Sequence, residues 1–297
     1  MSMKLSGMNG FNPLVVRCAR VVGLAWLLAA APNRVHGHQD PLGDIHPQVT
    51  VMDGKFSIVF STSLPQDRTN YTDESPVSQM IFEADGTLFA PRHPLDRKRS
   101  WRELGSVGSY GRETRLGDSS VFFQGSSGQP GYLLKSPDGK LTRVRLPWPE
   151  KVSLSLFEEV LVTPTGIAIT GKDGRDHTGT DPLNFYWFAH EATGAPTILS
   201  LGPTACIYNF PVASNIAFAG GRFWIAFMRP TDKELKLALW SWKPGEADGR
   251  FDMLDSPADW NSHLSLAAIG DRLCLAYHHA NGYPGFARIV MVFRKAE

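Results

Sequence analysis

Five positions in this chain share one register. Counting eight residues back from the second residue of each of five tight-turn signals reaches His46, Tyr110, Glu158, Ala213 and His263. Two imidazoles, a phenol and a carboxylate can donate, accept and exchange protons. Brought together in a concavity, such groups make a binding or acid–base site. At the mouth of a polar channel the same groups also hold ordered water, and residue type alone leaves both readings open. A further pair, His278 and His279 in "YHHANGYPG", enters a loop from an apolar strand. Adjacent strand residues point to opposite faces, so the pair cannot serve one ion. His278 joins the candidate binding residues.

Other chemistry-bearing stretches read as surface. "KDGRDHTGTD", residues 172–181, has the acidic look of a calcium loop without EF-hand spacing or a terminal glutamate. A solvated loop explains it. "NYT" at Asn70 matches a glycosylation acceptor, which means nothing in a bacterial chain. His38 alone is a thin basis for copper. No nucleophile elbow, phosphate loop, zinc-protease helix or dinucleotide fingerprint occurs, and no metal or cofactor is expected.

The elements that must position the candidates repeat along the chain. "SNIAFAGGRFWIAFM" reads as strand, two-residue turn, strand, because paired glycines supply the positive φ such turns need. "LKLALWSW" and "RFDML" add a third and fourth strand. The first-to-second turns fall at Asp53 and Gly54, Gly117 and Asp118, Thr165 and Gly166, Gly220 and Gly221, and Gly270 and Asp271. Their spacing after the first is about 50 residues, in the range of propeller blades. Third-to-fourth turns fall at Gly86, Gly139, Gly194 and Gly245. Strands such as "RFWIAFM" are apolar on both faces, as in sheets stacked face to face. The expectation is an all-β fold: a single β-propeller of four-stranded antiparallel blades. Five blades is the direct count and six the alternative. The last blade lacks a fourth strand, which residues 40–46 are expected to supply, closing the ring.

Length and charge narrow the function. The chain has 297 residues, net charge +1 and 42% hydrophobic residues. Near-neutral charge argues against nucleic-acid partners. The basic run at residues 92–102, "RHPLDRKRSWR", reads as a solvated loop. Arg17 and Arg20 precede an apolar run at residues 21–31, shorter than the roughly 20 residues of a membrane span. That order is a secretory signal's. Val35 and Gly37 place cleavage after Gly37, so residues 1–37 are read as the signal peptide and 38–297 as the propeller domain, secreted or periplasmic, monomeric and without a membrane span. Cys206 and Cys274 remain, either paired or free and buried.

"HPQVTVMDGKFSIVFSTS", from His46 to Ser63, resembles the opening blade of five-bladed furanosidase-type glycoside hydrolases, the arabinanases and xylosidases. "SPDGKLTRV" is a distant echo of the Asp-box of sialidase-like, BNR-type propellers. The furanosidase resemblance implies three inner-strand carboxylates. This chain has His46 at the first position, Glu158 at one of the others and Ala213 at the next. Two-carboxylate hydrolysis needs an acid and a base. A His and Tyr beside an acid suits proton abstraction from a polyuronate, as in propeller lyases. The leading expectation is therefore an exported propeller that binds a carbohydrate or protein ligand on its loop-rich face, with no catalysis established. The alternative is a glycan-active enzyme, lyase or hydrolase. Trp101, Trp148, Tyr208 and Trp260 suit stacking on a sugar or anchoring a protein.

Overall fold

The computed structural model describes residues 34–39, 44–62, 75–99, 113–116, 118–124, 131–148, 156–172, 182–190, 194–203, 215–232, 235–257, 264–280 and 287–297. These form five four-stranded antiparallel sheets. Blade 1 is β2 (Asp44–Met52), β3 (Lys55–Thr62), β4 (Ser75–Phe82) and β5 (Leu88–Arg99). Blade 2 is β6 (Glu113–Leu116), β7 (Ser119–Gln124), β8 (Gly131–Lys135) and β9 (Leu141–Arg145). Blade 3 is β10 (Leu156–Thr163), β11 (Gly166–Lys172), β12 (Pro182–Ala189) and β13 (Thr197–Pro203). Blade 4 is β14 (Ile216–Ala219), β15 (Arg222–Pro230), β16 (Leu235–Trp242) and β17 (Arg250–Pro257). Blade 5 is β18 (Leu264–Ile269), β19 (Arg272–Ala280), β20 (Ala287–Lys295) and, from the other end of the chain, β1 (Arg34–Gln39). The fold is a five-bladed β-propeller.

The first strand of each blade is the inner one. β2 lies against β18, β18 against β14, β14 against β10 and β10 against β6. The core is divided among the seams between blades. Phe56, Ile58 and Phe60 of blade 1 pack with Cys274, Met291 and Phe293 of blade 5. Leu237 and Leu239 of blade 4 pack with Leu264 and Tyr277 of blade 5. Phe185 of blade 3 meets Phe223, Trp240 and Trp242 of blade 4 at ring separations of 5.2–5.5 Å. Tyr186 and Phe188 of blade 3 meet Trp148, which follows blade 2, at 4.8 and 5.7 Å. Each such ring buried contributes about 1.5–3 kcal/mol.

The turns follow their sequences. Asp53 (φ 50°) and Gly54 (φ 71°) both take positive φ, as do Gly220 and Gly221, which matches the twist of the strands they join. Gly86 and Gly139 close equivalent turns: each amide donates three residues back, to Glu83 O and Ser136 O, at 2.9 Å. Blade 3 differs from the expected reading. Thr163 pairs with Gly166, so the turn is Pro164 and Thr165. The Thr163 hydroxyl closes it, donating to Gly166 O at 2.9 Å and accepting from Thr165 N at 3.3 Å. Gly166 is a close-approach glycine: a Cβ there would strike the Phe188 carbonyl and lie 2.8 Å from Trp187 Nε1.

Two other expectations need correction, and at Cys274 one of two open alternatives is decided. The ring-closing strand is β1, upstream of residues 40–46; it pairs with β20 from Arg34↔Phe293 to Gln39↔Arg288. β1 also crosses the boundary expected after Gly37. The basic run begins in strand rather than loop, since residues 92–99 belong to β5, the outer edge of blade 1. Charge on an outer strand blocks edge-to-edge pairing. Cys274 is a free thiol buried in the seam between blades 5 and 1, and burial raises its pKa well above the ordinary value. Cys206 lies outside the described residues.

Charged clamps join strands at the turn-side face. Lys55, at the start of β3, meets Glu83 at 2.7 Å, and Arg222, at the start of β15, holds Glu246 bidentately at 2.7 and 2.8 Å. The Arg222 hydrogen bonds lower the Glu246 pKa, against a smaller opposing effect of desolvation. A depressed carboxylate stabilises the fold above the unfolded-state range near pH ~4.3, and this is lost as pH falls through the folded value. Glu246→Gln should therefore remove part of the acid sensitivity of the urea midpoint below about pH 5, while wild type retains it. Identical acid profiles would contradict the clamp.

Gly86 and Gly139 give a matched test of the seam. A Cβ on Gly86 would sit 2.8 Å from Phe293 Cγ across the seam with blade 5, whereas Gly139 has nothing within 4 Å. Both hold similar positive φ, 86° and 84°. Gly139→Ala should cost about 1 kcal/mol from backbone strain, and Gly86→Ala about 3 kcal/mol because overpacking is added. Equal losses in denaturant unfolding would remove the seam contact.

Candidate functional site

Connections between second and third strands, and between one blade and the next, lie at the end opposite the tight turns. The inner strands begin there. The backbone places His46 on β2 and Glu158 on β10, both at this end. His278 lies on β19 opposite Ile289, near the end of its strand. These three backbone positions therefore share one end of the propeller. Tyr110, Ala213 and His263 lie outside the described residues, as do Trp101, Tyr208 and Trp260. Trp148 is a seam residue, held against Tyr186 and Phe188.

The strand register at His46 and Glu158 is irregular in the same way. On β2, Ile45 pairs with Ser61 and Gln48 with Val59, so His46 and Pro47 stand against the single residue Phe60. On β10, Phe157 pairs with Gly171 and Glu159 with Thr170, leaving Glu158 as the extra residue. Both are β-bulges, seven to eight positions before the second turn residue. A bulge bends its strand and re-aims the side chains around it. Pro47, which lacks an amide hydrogen, is tolerated in an inner strand because the ladder is already broken there. With the blade 3 turn at Pro164 and Thr165, the eight-residue count reaches Phe157; the two bulges coincide with Phe157 matched to His46 and Glu158 to Pro47, so Glu158 stands one position from the expected register.

On the turn side Arg222 is bound by Glu246, Trp242 Nε1 by Glu246 O at 3.0 Å, and Thr163 by its own turn, while Trp187 Nε1 and Arg294 Nε are buried with no hydrogen-bond partner among the described residues. Toward the loop-rich end, Ser61 Oγ, Thr170 Oγ1 and Asn215 Oδ1 are buried with no hydrogen-bond partner among the described residues. Their residues are 0%, 0% and 3% exposed. Strand alternation puts each on the face toward the following blade. Thr170 is paired with Phe185, which packs on blade 4; Asn215 alternates in step with Ala217, which packs on blade 5. Ser61 alternates against Phe60, which packs on blade 5, and so faces blade 2. Buried oxygens of this kind normally have a partner, so an unpartnered group carries a penalty of about 1–3 kcal/mol.

Sequence reasoning missed these three oxygens. Their signal was a lone polar residue near the loop-side end of an apolar strand, as in "KFSIVFST" and "GIAITGK". It also passed over Asp44, which begins β2 opposite Thr62, two residues before His46. His279 is 7% exposed and lies in step with Tyr277, in the seam toward blade 4. Among the described residues no group of three His, Cys, Asp or Glu side chains could hold a metal ion, and no helix is long and apolar enough to cross a membrane.

No protein-family model and no curated protein matches this sequence. Solved structures similar to it include the GH43_1 enzyme from Xanthomonas citri complexed with xylotriose, 13% identical, covering 91% of this chain and 92% of that chain with a TM-score of 0.44. The α-L-arabinofuranosidase from Podospora anserina in complex with cellotriose is 11% identical, covers 88% and 95%, and has a TM-score of 0.37. The catalytic domain of the Coprinopsis cinerea GH62 α-L-arabinofuranosidase is 10% identical, covers 89% and 98%, and has a TM-score of 0.37.

Thr170 offers a test of whether its hydroxyl serves the fold. Replacing an unpartnered buried hydroxyl by a methyl of the same shape removes its desolvation penalty. Thr170→Val should leave the thermal midpoint unchanged or raise the stability by about 1 kcal/mol. A loss of more than 1 kcal/mol, by thermal or urea unfolding, would show that the hydroxyl is bonded within the fold.

Proposed function

We propose that the loop-rich end of the propeller axis binds a glycan and cleaves it, in a protein exported from the cell and acting as a monomer. The observation that carries this reading is the pair of β-bulges at His46 and Glu158, on two inner strands at one end of the ring. Bulges recur beside active sites because they re-aim a side chain without disturbing the sheet on either side. Glu158 supplies a carboxyl group for general acid–base work, and His46 an imidazole that can donate or accept a proton.

Two chemistries fit. In hydrolysis Glu158 acts with a second carboxylate, and Asp44, at the head of β2, is placed on an inner strand of a different blade. In elimination from a polyuronate, His46 or Tyr110 removes the proton and Glu158 assists departure. Under a third reading the site binds sugar without turnover.

A panel of furanoside and uronate polysaccharides separates the three. Reducing ends without a near-ultraviolet chromophore identify a hydrolase; reducing ends with an unsaturated, absorbing product identify a lyase; retention on a polysaccharide column without release identifies a binding module. For an enzyme, Glu158→Gln should lower kcat by roughly 10²-fold or more, with the thermal midpoint kept. Activity unchanged in both Glu158→Gln and His46→Ala would remove the site. Neither binding nor release on any glycan would remove the reading.

A further inference from the structure

β20 is built as an interior strand. Its residues 289–293, "IVMVF", are 0–7% exposed. Val290 and Val292 pack toward blade 4, and Ile289, Met291 and Phe293 toward blade 1. The outer strands of the other blades have a different character. β9 is "LTRVR" with one partly buried residue and four exposed, and β17 is "RFDMLDSP", with Phe251, Asp252 and Met253 exposed. An apolar strand buried on both faces, if left as an edge, is a template for pairing with other chains. β1 prevents this, covering β20 with six consecutive residue pairs from Arg34↔Phe293 to Gln39↔Arg288. Among the described residues no other strand pairs with that side of β20.

This bears on processing. Small residues at Val35 and Gly37 favour leader cleavage after Gly37. A chain cut there keeps two of the six pairs, His38↔Ile289 and Gln39↔Arg288, and leaves β20 uncovered from Val290 to Phe293. Leader removal and ring closure therefore compete for residues 34–37. A second run of small residues, Ala29, Ala30 and Ala31, ends the apolar segment upstream of β1.

We propose that the leader is removed upstream of Arg34, so that β1 belongs to the mature protein as its ring-closing strand. The step is hydrolysis of one peptide bond by a leader peptidase, water giving a hydroxyl to the new carboxyl terminus and a hydrogen to the new amine. Cleavage after Gly37 would remove four of the six residues that pair with β20, and with them the closure of the ring. The proposal rests on the export reading but not on the glycan reading.

The test is the amino terminus of full-length chain expressed with its leader in an exporting host and recovered folded from the export compartment. Intact mass should place it at or before Arg34. A folded, exported chain beginning at His38 overturns the proposal. A protein that keeps Met1 overturns the export reading with it, whereas failure on every glycan leaves it standing. Two leaderless chains give the second arm, one starting at Arg34 and one at His38. The His38 chain should melt at least about 5 °C lower, or fail to fold or associate into larger species, and its β20 amides should exchange faster. Equal midpoints and equal exchange overturn the closing role.

Discussion

A strand that is apolar on both faces cannot also be the edge of a sheet, and that constraint organises this molecule. β20 faces one seam through Val290 and Val292 and another through Met291 and Phe293. β15 is the same in blade 4, where seven consecutive residues, 222–228, are buried. Such strands are stable only with a blade on each side and a strand on each edge. Among the described residues the clusters bridge blades: Phe185 is buried by blade 4 and Phe56 by blade 5. The sheets therefore need the ring, and the seam between blades 5 and 1 is where chain ends meet. Val49 N also donates to Ser265 Oγ there, at 2.9 Å, tying inner strand to inner strand over 216 residues of sequence.

The seams explain several local choices. Gly86 carries no side chain because Phe293 of blade 5 occupies the space. Gly220 lies against Ala296, so the turn of blade 4 is seated on the end of blade 5. Arg294 spans the same seam, paired with Asp252 and lying over the Trp224 ring at 5.6 Å. Those contacts stand at the turn-side face. The opposite end holds the buried oxygens of Ser61, Thr170 and Asn215.

The blade rhythm was legible because it is written in local chemistry: positive-φ glycines at turns and both-face apolar strands need no knowledge of distant partners. Its errors were also local. Thr165 and Gly166 look like a turn pair, yet Gly166 is small because the Phe188 carbonyl approaches it, a cause that only the neighbouring strand reveals. The basic run looked like loop because its exposed face dominates its composition, although an outer strand of a propeller is mostly exposed as well. The closing strand was sought at residues 40–46 rather than 34–39 because "RVHGHQ" has no strong strand pattern; β20 supplies the pairing that makes it a strand. At the site, residue types pointed to His46 and Glu158, but the bulges that set their backbone apart depend on cross-strand register, which composition does not encode.

Carrying the candidate groups on inner strands has a mechanical consequence. A residue on a long connection moves with that connection. His46 and Glu158 instead sit between ladder pairs on both sides: Ile45↔Ser61 and Gln48↔Val59 flank the first, Phe157↔Gly171 and Glu159↔Thr170 the second. Each bulge is fixed by a strand that is itself clamped between seams. Sites built this way hold their geometry more tightly than sites built on loops. The ring then does for the site what no single blade can: it fixes two backbone positions more than 100 residues apart in sequence on separate sheets.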